Sequence, residues 1–188
     1  MADIRDTSIA ILVDNYFEQI EFTEPKETLE HAGAEVTVIS TGADVVHGMN
    51  GIEIGDDFVP DMVLAEVDFE DFDMLIVPGG VINADRLRMN TKARDWVHYC
   101  MDNEVPLAAI CHAPWLLVSA GVCDGLRMTS YYTLQDDINN AHGNWIDSQL
   151  VIDGGIITSR TPDDLPVFCG ALIDAIEHLP ATAEMLSY

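Results

Sequence analysis

Residues Val105–Gly121, VPLAAICHAPWLLVSAG, decide how the rest of the chain is read. Leu107–Ile110 is an apolar run of strand length, Cys111 and His112 follow at once, and Ala113–Ala120 reads as a buried helix stopped by Gly121. A strand that ends at a cysteine and turns into a helix is a nucleophile elbow in outline. A side chain at such a turn stands at the carboxyl edge of the sheet, where open α/β folds place their ligands. The helix start offers amide donors and a positive dipole end, and both favour a thiolate. A buried structural cysteine beside an unrelated histidine fits this stretch equally well, since free cysteine is commonly a core residue.

Working outward, apolar strands alternate with helices. Ser8–Val13, Glu35–Ser40, Met74–Val77 and Leu107–Ile110 are short and near-continuously apolar, the pattern of a parallel sheet covered on both faces. Phe17–Ala32 reads as helical with Gly33 as its stop, and Pro25 is expected to divide a first turn, Phe17–Thr23, from the main helix. Thr91–Asn103 and Thr133–Ala141 also read as helices, and a last helix starts near Thr161-Pro162 or at Pro166. Two hairpins are expected. One spans Val46–Ile54, and the other joins Leu150–Asp153 to Ile156–Ser159 through Gly154-Gly155. Arg127–Ser130 reads as a short strand, and Asp56–Asp73 as irregular apart from a short element at Met62–Glu66. The fold class expected is a three-layer α/β sandwich, in a single domain over residues 1–188.

The chain carries 33 acidic residues against 8 basic ones, a net charge of −25. Nucleic-acid binding needs the opposite sign, so that class is excluded. No apolar stretch approaches membrane-spanning length, and no signal peptide is recognisable, so a cytoplasmic location is expected. The acids are scattered, as in a solvated shell suited to a salt-rich cytoplasm, where the Debye length shrinks to about 3 Å at molar salt. Cys100, Cys111, Cys123 and Cys169 lack zinc-site spacing, and the six histidines form no metal motif, so no metal or other cofactor is expected.

Several residues fall at the same sheet edge as Cys111. Glu18 and Glu21 follow the first strand and precede Pro25, where a carboxyl group can exchange a proton or hold a thiolate. Their three-residue spacing continues through Glu24, Glu27 and Glu30, which equally describes a solvated acidic surface. Pro78-Gly79-Gly80 ends another strand, and glycine there lets backbone amides approach a substrate oxygen. Asp85 lies beyond, as a candidate orienter of a histidine or as a partner of Arg86 or Arg88. Tyr131, Tyr132 and Trp145 are candidates for a pocket lining or for the core. Sequence neighbours do not generally face each other, so the Cys111-His112 pair alone does not establish a reactive couple.

In this order and spacing the segments NYFEQIEF (15–22), FDMLIVPGG (72–80), RLRMN (86–90), AICHAPWLLVSAG (109–121), TSY (129–131), DDIN (136–139), VIDG (151–154) and TSR (158–160) resemble the DJ-1/PfpI superfamily, closest to its PfpI-like branch of intracellular cysteine hydrolases. The resemblance covers nearly the whole chain. It implies a flavodoxin-like α/β sandwich without a cofactor, with Cys111 as nucleophile, His112 beside it, Glu21 as the acid contacting the cysteine and Glu18 as the second acid. It also implies an oxyanion site from the amides near Gly80 and of His112, and a homo-oligomer in which an acid from a neighbouring subunit completes the triad. Asp85 stands where the family carries Glu, after a segment one residue longer, and Ala113 and Trp115 replace smaller or more polar residues. The substrates implied are peptides, 2-oxoaldehydes or glycated adducts. A redox-sensing or stress-protective protein would use the same oxidisable thiol. A glutaminase would need a late His-Pro-Glu-like dyad, which His178-Leu179-Pro180 does not match. If the acidic shell is an adaptation to salt, the unfolding midpoint rises steadily from low to molar KCl; equal stability without salt would contradict it.

Overall fold

The computed structural model describes residue 4 and residues 7–179. A seven-stranded sheet forms the middle layer. Its strands, in spatial order, are β11 (Val151–Asp153), β12 (Ile156–Ser159), β8 (Leu107–Ile110), β7 (Met74–Val77), β1 (Ser8–Val13), β3 (Glu35–Ser40) and β6 (Met62–Val63). All neighbours run parallel except β11 and β12, which form the expected hairpin around Gly154 (φ 56°) and Gly155 (φ 80°). Two consecutive positive-φ residues give a turn whose twist matches that of the flanking strands.

The central strands β7 and β8, and β1 beyond Ser8, are apolar throughout because alternate side chains enter two different cores. Ala10 and Leu12 of β1 pack on one side with Leu75, Val77, Leu107 and Ala109. Ile9, Ile11 and Val13 pack on the other with Met74, Ile76, Ala108 and Ile110. The first core is closed by α2 (Val81–Met89), α3 (Thr91–Asp102), α4 (Pro114–Ala120) and α5 (Gln135–Asn140). Trp96 is fully buried there, with Phe69 stacked on it at a centroid distance of 4.9 Å. The second core is closed by α1 (Gln19–Ala32) and α6 (Leu165–Glu177), through Phe22, Leu29, Phe168 and Leu172. This is the flavodoxin-like three-layer arrangement that the sequence predicts.

Several expectations are corrected. Pro25 does not divide the first helix: α1 runs unbroken through it. Phe22, Pro25 and Leu29 share the buried face of α1, and this packing outweighs the hydrogen bond that Pro25 cannot donate to Glu21. The first hairpin is longer than expected, pairing β4 (Val46–Asn50) with β5 (Glu53–Phe58), and β4 also pairs in parallel with a two-residue β2 (Phe17–Glu18). The strand expected over 127–130 is only β9 (Arg127–Met128), paired with β10 (Asn144–Trp145). The segment 133–141 opens as a 3-10 turn, Tyr132–Leu134, before α5. The last α-helix starts at Leu165, after a 3-10 turn at Pro162–Asp164.

The strand order reverses between β1 and β7. β1 continues through α1 to β3 on one side, while β7 and β8 lie on the other. A crevice opens at the carboxyl ends of strands at such a point. Asn83, fully buried in α2, ties its walls together. Its Nδ2 donates to the carbonyls of Pro78 (2.8 Å) and Gly79 (3.1 Å), and its Oδ1 accepts from the amide of Asp14 (2.7 Å). Asn83→Ala removes the side-chain partner of the buried Pro78 carbonyl and of the half-buried Asp14 amide and is expected to cost about 1–3 kcal/mol in denaturant unfolding; a change within error would contradict the tie.

Candidate active site

The carboxyl end of β8 carries Cys111. Its φ of 62° lies in the left-handed region, which costs a non-glycine residue about 1–3 kcal/mol and persists only where neighbours impose it. Here the Cys111 amide donates to the Ser159 carbonyl (3.0 Å), and the Cys111 carbonyl accepts from Tyr131 (2.7 Å). The reversal turns the side chain of Cys111 toward its own neighbour: Sγ lies 3.2 Å from His112 Nδ1. The ordinary rule for adjacent residues therefore fails at this turn. The other ring nitrogen, Nε2, stands 3.5 Å from Thr133 Oγ1, and Tyr131 stacks on the imidazole at 4.6 Å.

The first turn of α1 brings Glu21 to the same place. Its side chain is completely buried, and Oε2 accepts from the Gly79 amide at 2.9 Å. Gly79 is the spacer between acid and thiol. A Cβ there would fall 2.4 Å from Glu21 Oε2 and 2.6 Å from Cys111 Cβ. Gly80, with φ 90°, is equally constrained, since a Cβ would meet the Tyr16 carbonyl at 2.6 Å and the Glu18 amide at 2.8 Å. The Pro-Gly-Gly turn thus lets the ends of β1, β7 and β8 close on one another.

The electrostatics follow from burial. Loss of water, reinforced by the charge of Glu18 and opposed by the Gly79 amide and by Cys111, pushes the Glu21 carboxyl up to about 8. Near neutrality Glu21 is therefore a proton carrier. The folded protein keeps a proton that the unfolded chain sheds in the ordinary carboxylate range, so this group's contribution to stability falls as pH rises from there toward 8. Burial and the neighbouring Glu21 push the Cys111 thiol up, against the backbone amides of Gly80 and His112, which favour the thiolate. The sulfur thus rests against an acid rather than as the freely ionised, rim-exposed thiolate that the sequence predicts. Helix α4 is not the source of its donors either: the amides of Ala113 and Trp115 bond to the carbonyls of Ile110 and His112. Burial lowers the pKa of His112. It also raises Glu18, whose carboxylate accepts from the Gly51 amide at 3.2 Å.

These groups open into a cavity of about 340 Å³. Glu18, Glu21, Cys111 and His112 form its polar end, and Tyr16, Gly80 and Tyr131 flank them. The β4–β5 hairpin overhangs it with Met49, Gly51 and Ile52. A larger cavity, of about 450 Å³, lies between α1 and β3 and contains no cysteine or histidine. Cys111, His112, Glu21, Glu18 and Gly80 are thus brought together, and Asp85 is not. It lies on the exposed face of α2, and the side-chain partners of His112 are Cys111 and Thr133. Nor does Asp85 pair with its neighbours. Arg86 bonds to Asp14, and Arg88 bonds to Ser119 and lies over the Trp115 ring. Cys100, Cys123 and Cys169 are core residues whose thiols burial pushes up to about 12, 11 and 11. Among the described residues no cluster of three or more metal-ligating side chains forms, and no helix is long and apolar enough to cross a membrane.

A family model described as the DJ-1/PfpI family matches residues 7–175. The chain belongs to the DJ-1/PfpI family. Among its relatives is an uncharacterized protein of Archaeoglobus fulgidus, 40% identical over 169 residues, covering 90% of this chain and 98% of that one. An uncharacterized protein of Staphylococcus haemolyticus is 36% identical over 172 residues, covering 90% and 97%. Drosophila melanogaster DJ-1beta superposes with a TM-score of 0.83 at 27% identity, covering 91% of this chain and 90% of that one. A two-domain Anabaena variabilis protein containing DJ-1/ThiJ/PfpI-like and ferritin-like domains gives 0.86 at 29% identity, covering 97% of this chain and 52% of that longer one. The DJ-1/PfpI fold is thereby shown.

Sequence reasoning did not find Thr133, Tyr16 or the hairpin residues Met49 and Ile52. For the hairpin a signal existed: Ile52 follows Gly51 at a turn, where an apolar residue has no strand-face core to enter, and it is 96% exposed.

Proposed function

We propose that this DJ-1/PfpI protein is a cytoplasmic cysteine hydrolase of the PfpI-like type, acting without a cofactor on carbonyl substrates: peptides, 2-oxoaldehydes or glycated adducts. The observation that carries this reading is a thiol fixed in a left-handed turn, touching a buried carboxyl and an imidazole, and open to a cavity. Glu21 enters protonated and donates toward Cys111, while His112 Nδ1 accepts the thiol proton. The sulfur then attacks the carbonyl carbon, forming the C–S bond as the carbonyl π pair moves to oxygen. The amides of Gly80 and His112, which already face the sulfur, hold that oxyanion. For a peptide, the leaving nitrogen takes a proton from His112 as the C–N bond breaks. Water then cleaves the thioester and restores the thiol. Thr133 holds the imidazole within this chain. Asp85, exposed on α2, would serve as a triad acid only from a second copy of the chain, in a homo-oligomer.

One observation favours redox sensing instead: two amides and a protonated carboxyl around one sulfur would equally stabilise a sulfinate. Turnover separates the readings. Cys111→Ala should abolish hydrolysis of short peptides and of methylglyoxal adducts alike, and Glu21→Gln should lower kcat/KM by about 10²-fold or more. Activity surviving in Cys111→Ala would remove the thiol from the mechanism. Uptake of two oxygens at Cys111 from mild peroxide, with no turnover of any carbonyl substrate by the wild type, would leave the sensing reading.

A further inference from the structure

Beside the active-site cavity lies a second one, of about 280 Å³, lined by Tyr132, Trp145, Asp147, Arg160 and Thr161. The two are next-door neighbours along two stretches of chain. Tyr131 and Pro162 line the first, and Tyr132 and Thr161 line the second. The two tyrosine rings lie 4.4 Å apart and their hydroxyls 3.3 Å apart, so together they form the partition.

The walls of this cavity are set in place. Trp145 Nε1 donates to Ser130 Oγ at 3.0 Å, which fixes the indole. Arg160 is held by the fully buried Asp164 through Nε (2.9 Å) and Nη2 (3.0 Å). That pairing consumes the guanidinium charge inside the protein. Asp147 then accepts from Arg160 Nη1 at 2.6 Å through Oδ1, while its side chain remains 69% exposed. Asp164, buried behind the cavity, offsets Arg160, so the three-residue cluster is left with one net negative charge, and Asp147 is its carboxylate in the cavity lining beside Tyr132 and Trp145. Tyr132, at 64% exposure, presents its ring to whatever enters. Aromatic faces with a carboxylate at hand attract a cation and offer an anion little.

We propose that the cavity between Tyr132 and Trp145, bounded by Asp147, is a subsite for a cationic side chain of lysine or arginine type on the substrate that Cys111 attacks. As an account of substrate class it rests on the hydrolase reading; as an account of binding it stands alone. The substrate would lay its electrophilic carbonyl in the first cavity and pass over the tyrosine partition, with its positive end between the rings. The net charge of −25 draws such substrates in the same sense.

The test is a titration of wild-type protein with N-acetyl-arginine amide and with its neutral isostere, N-acetyl-citrulline amide. The readout is the NMR signal of the Trp145 indole N–H, assigned by its loss in Trp145→Phe. The arginine compound should shift the signal saturably and bind about fivefold more tightly than citrulline. Asp147→Asn should remove most of that preference, and Tyr132→Ala should weaken the arginine compound. Equal binding of the two, absence of a saturable shift, or tighter binding of N-acetyl-glutamate amide would overturn the subsite. The titration needs no turnover, so the two readings fail separately. Selective binding by a protein that hydrolyses nothing would retire the hydrolase, while hydrolysis without selectivity would retire the subsite.

Discussion

The structure turns on a carboxyl group and a thiol held together out of water. Glu21 is buried completely, has one backbone amide as its firm partner, and shares its remaining environment with Cys111. Two acids so placed cannot both be ionised cheaply, because each charge raises the cost of the other. Near neutrality Glu21 therefore keeps a proton that a carboxyl group in water would shed. That proton makes the site chemically useful: a donor beside a sulfur, with two amides positioned to accept the charge that the sulfur releases.

The fold exists around this contact in a specific sense. Glu21 reaches it from the helix after β1, the spacer Gly79 from the end of β7, and Cys111 from the end of β8. Only the reversal of strand order brings these three ends into one crevice. Asn83 holds two of them in register, and the missing side chains of Gly79 and Gly80 leave the room in which they meet. Backbone strain at Cys111 is maintained by hydrogen bonds to β12 and to Tyr131. The hairpin overhangs the cavity that holds the sulfur, and the tyrosine pair stands between that cavity and the second one.

Much of this was legible in the residues. Continuous apolar strands announced a sheet covered on both faces, because each strand feeds two cores. Gly154-Gly155 announced its hairpin through backbone freedom alone. Cys111, Glu21 and Gly80 were locatable because strand ends in such a sheet share one edge. What was not legible depends on packing across the chain. Pro25 reads as a break, but burial of one helix face overrides it. The facing of Cys111 and His112 depends on a left-handed turn that no local pattern demands. The state of the thiol depends on how deeply Glu21 is buried, which spacing cannot give. Asp85 lies on the outward face of α2, where the cross-subunit role implied by the resemblance asks it to meet a second copy of the chain rather than its own His112.

The account stands on the proton at Glu21. Difference infrared spectroscopy of the wild type against Glu21→Gln reads that proton directly, as a carboxylic-acid carbonyl band that the variant lacks. The band should be present at neutral pH and fade with a midpoint near 8. A Glu21 carboxylate already ionised throughout the neutral range would contradict the arrangement on which the chemistry depends.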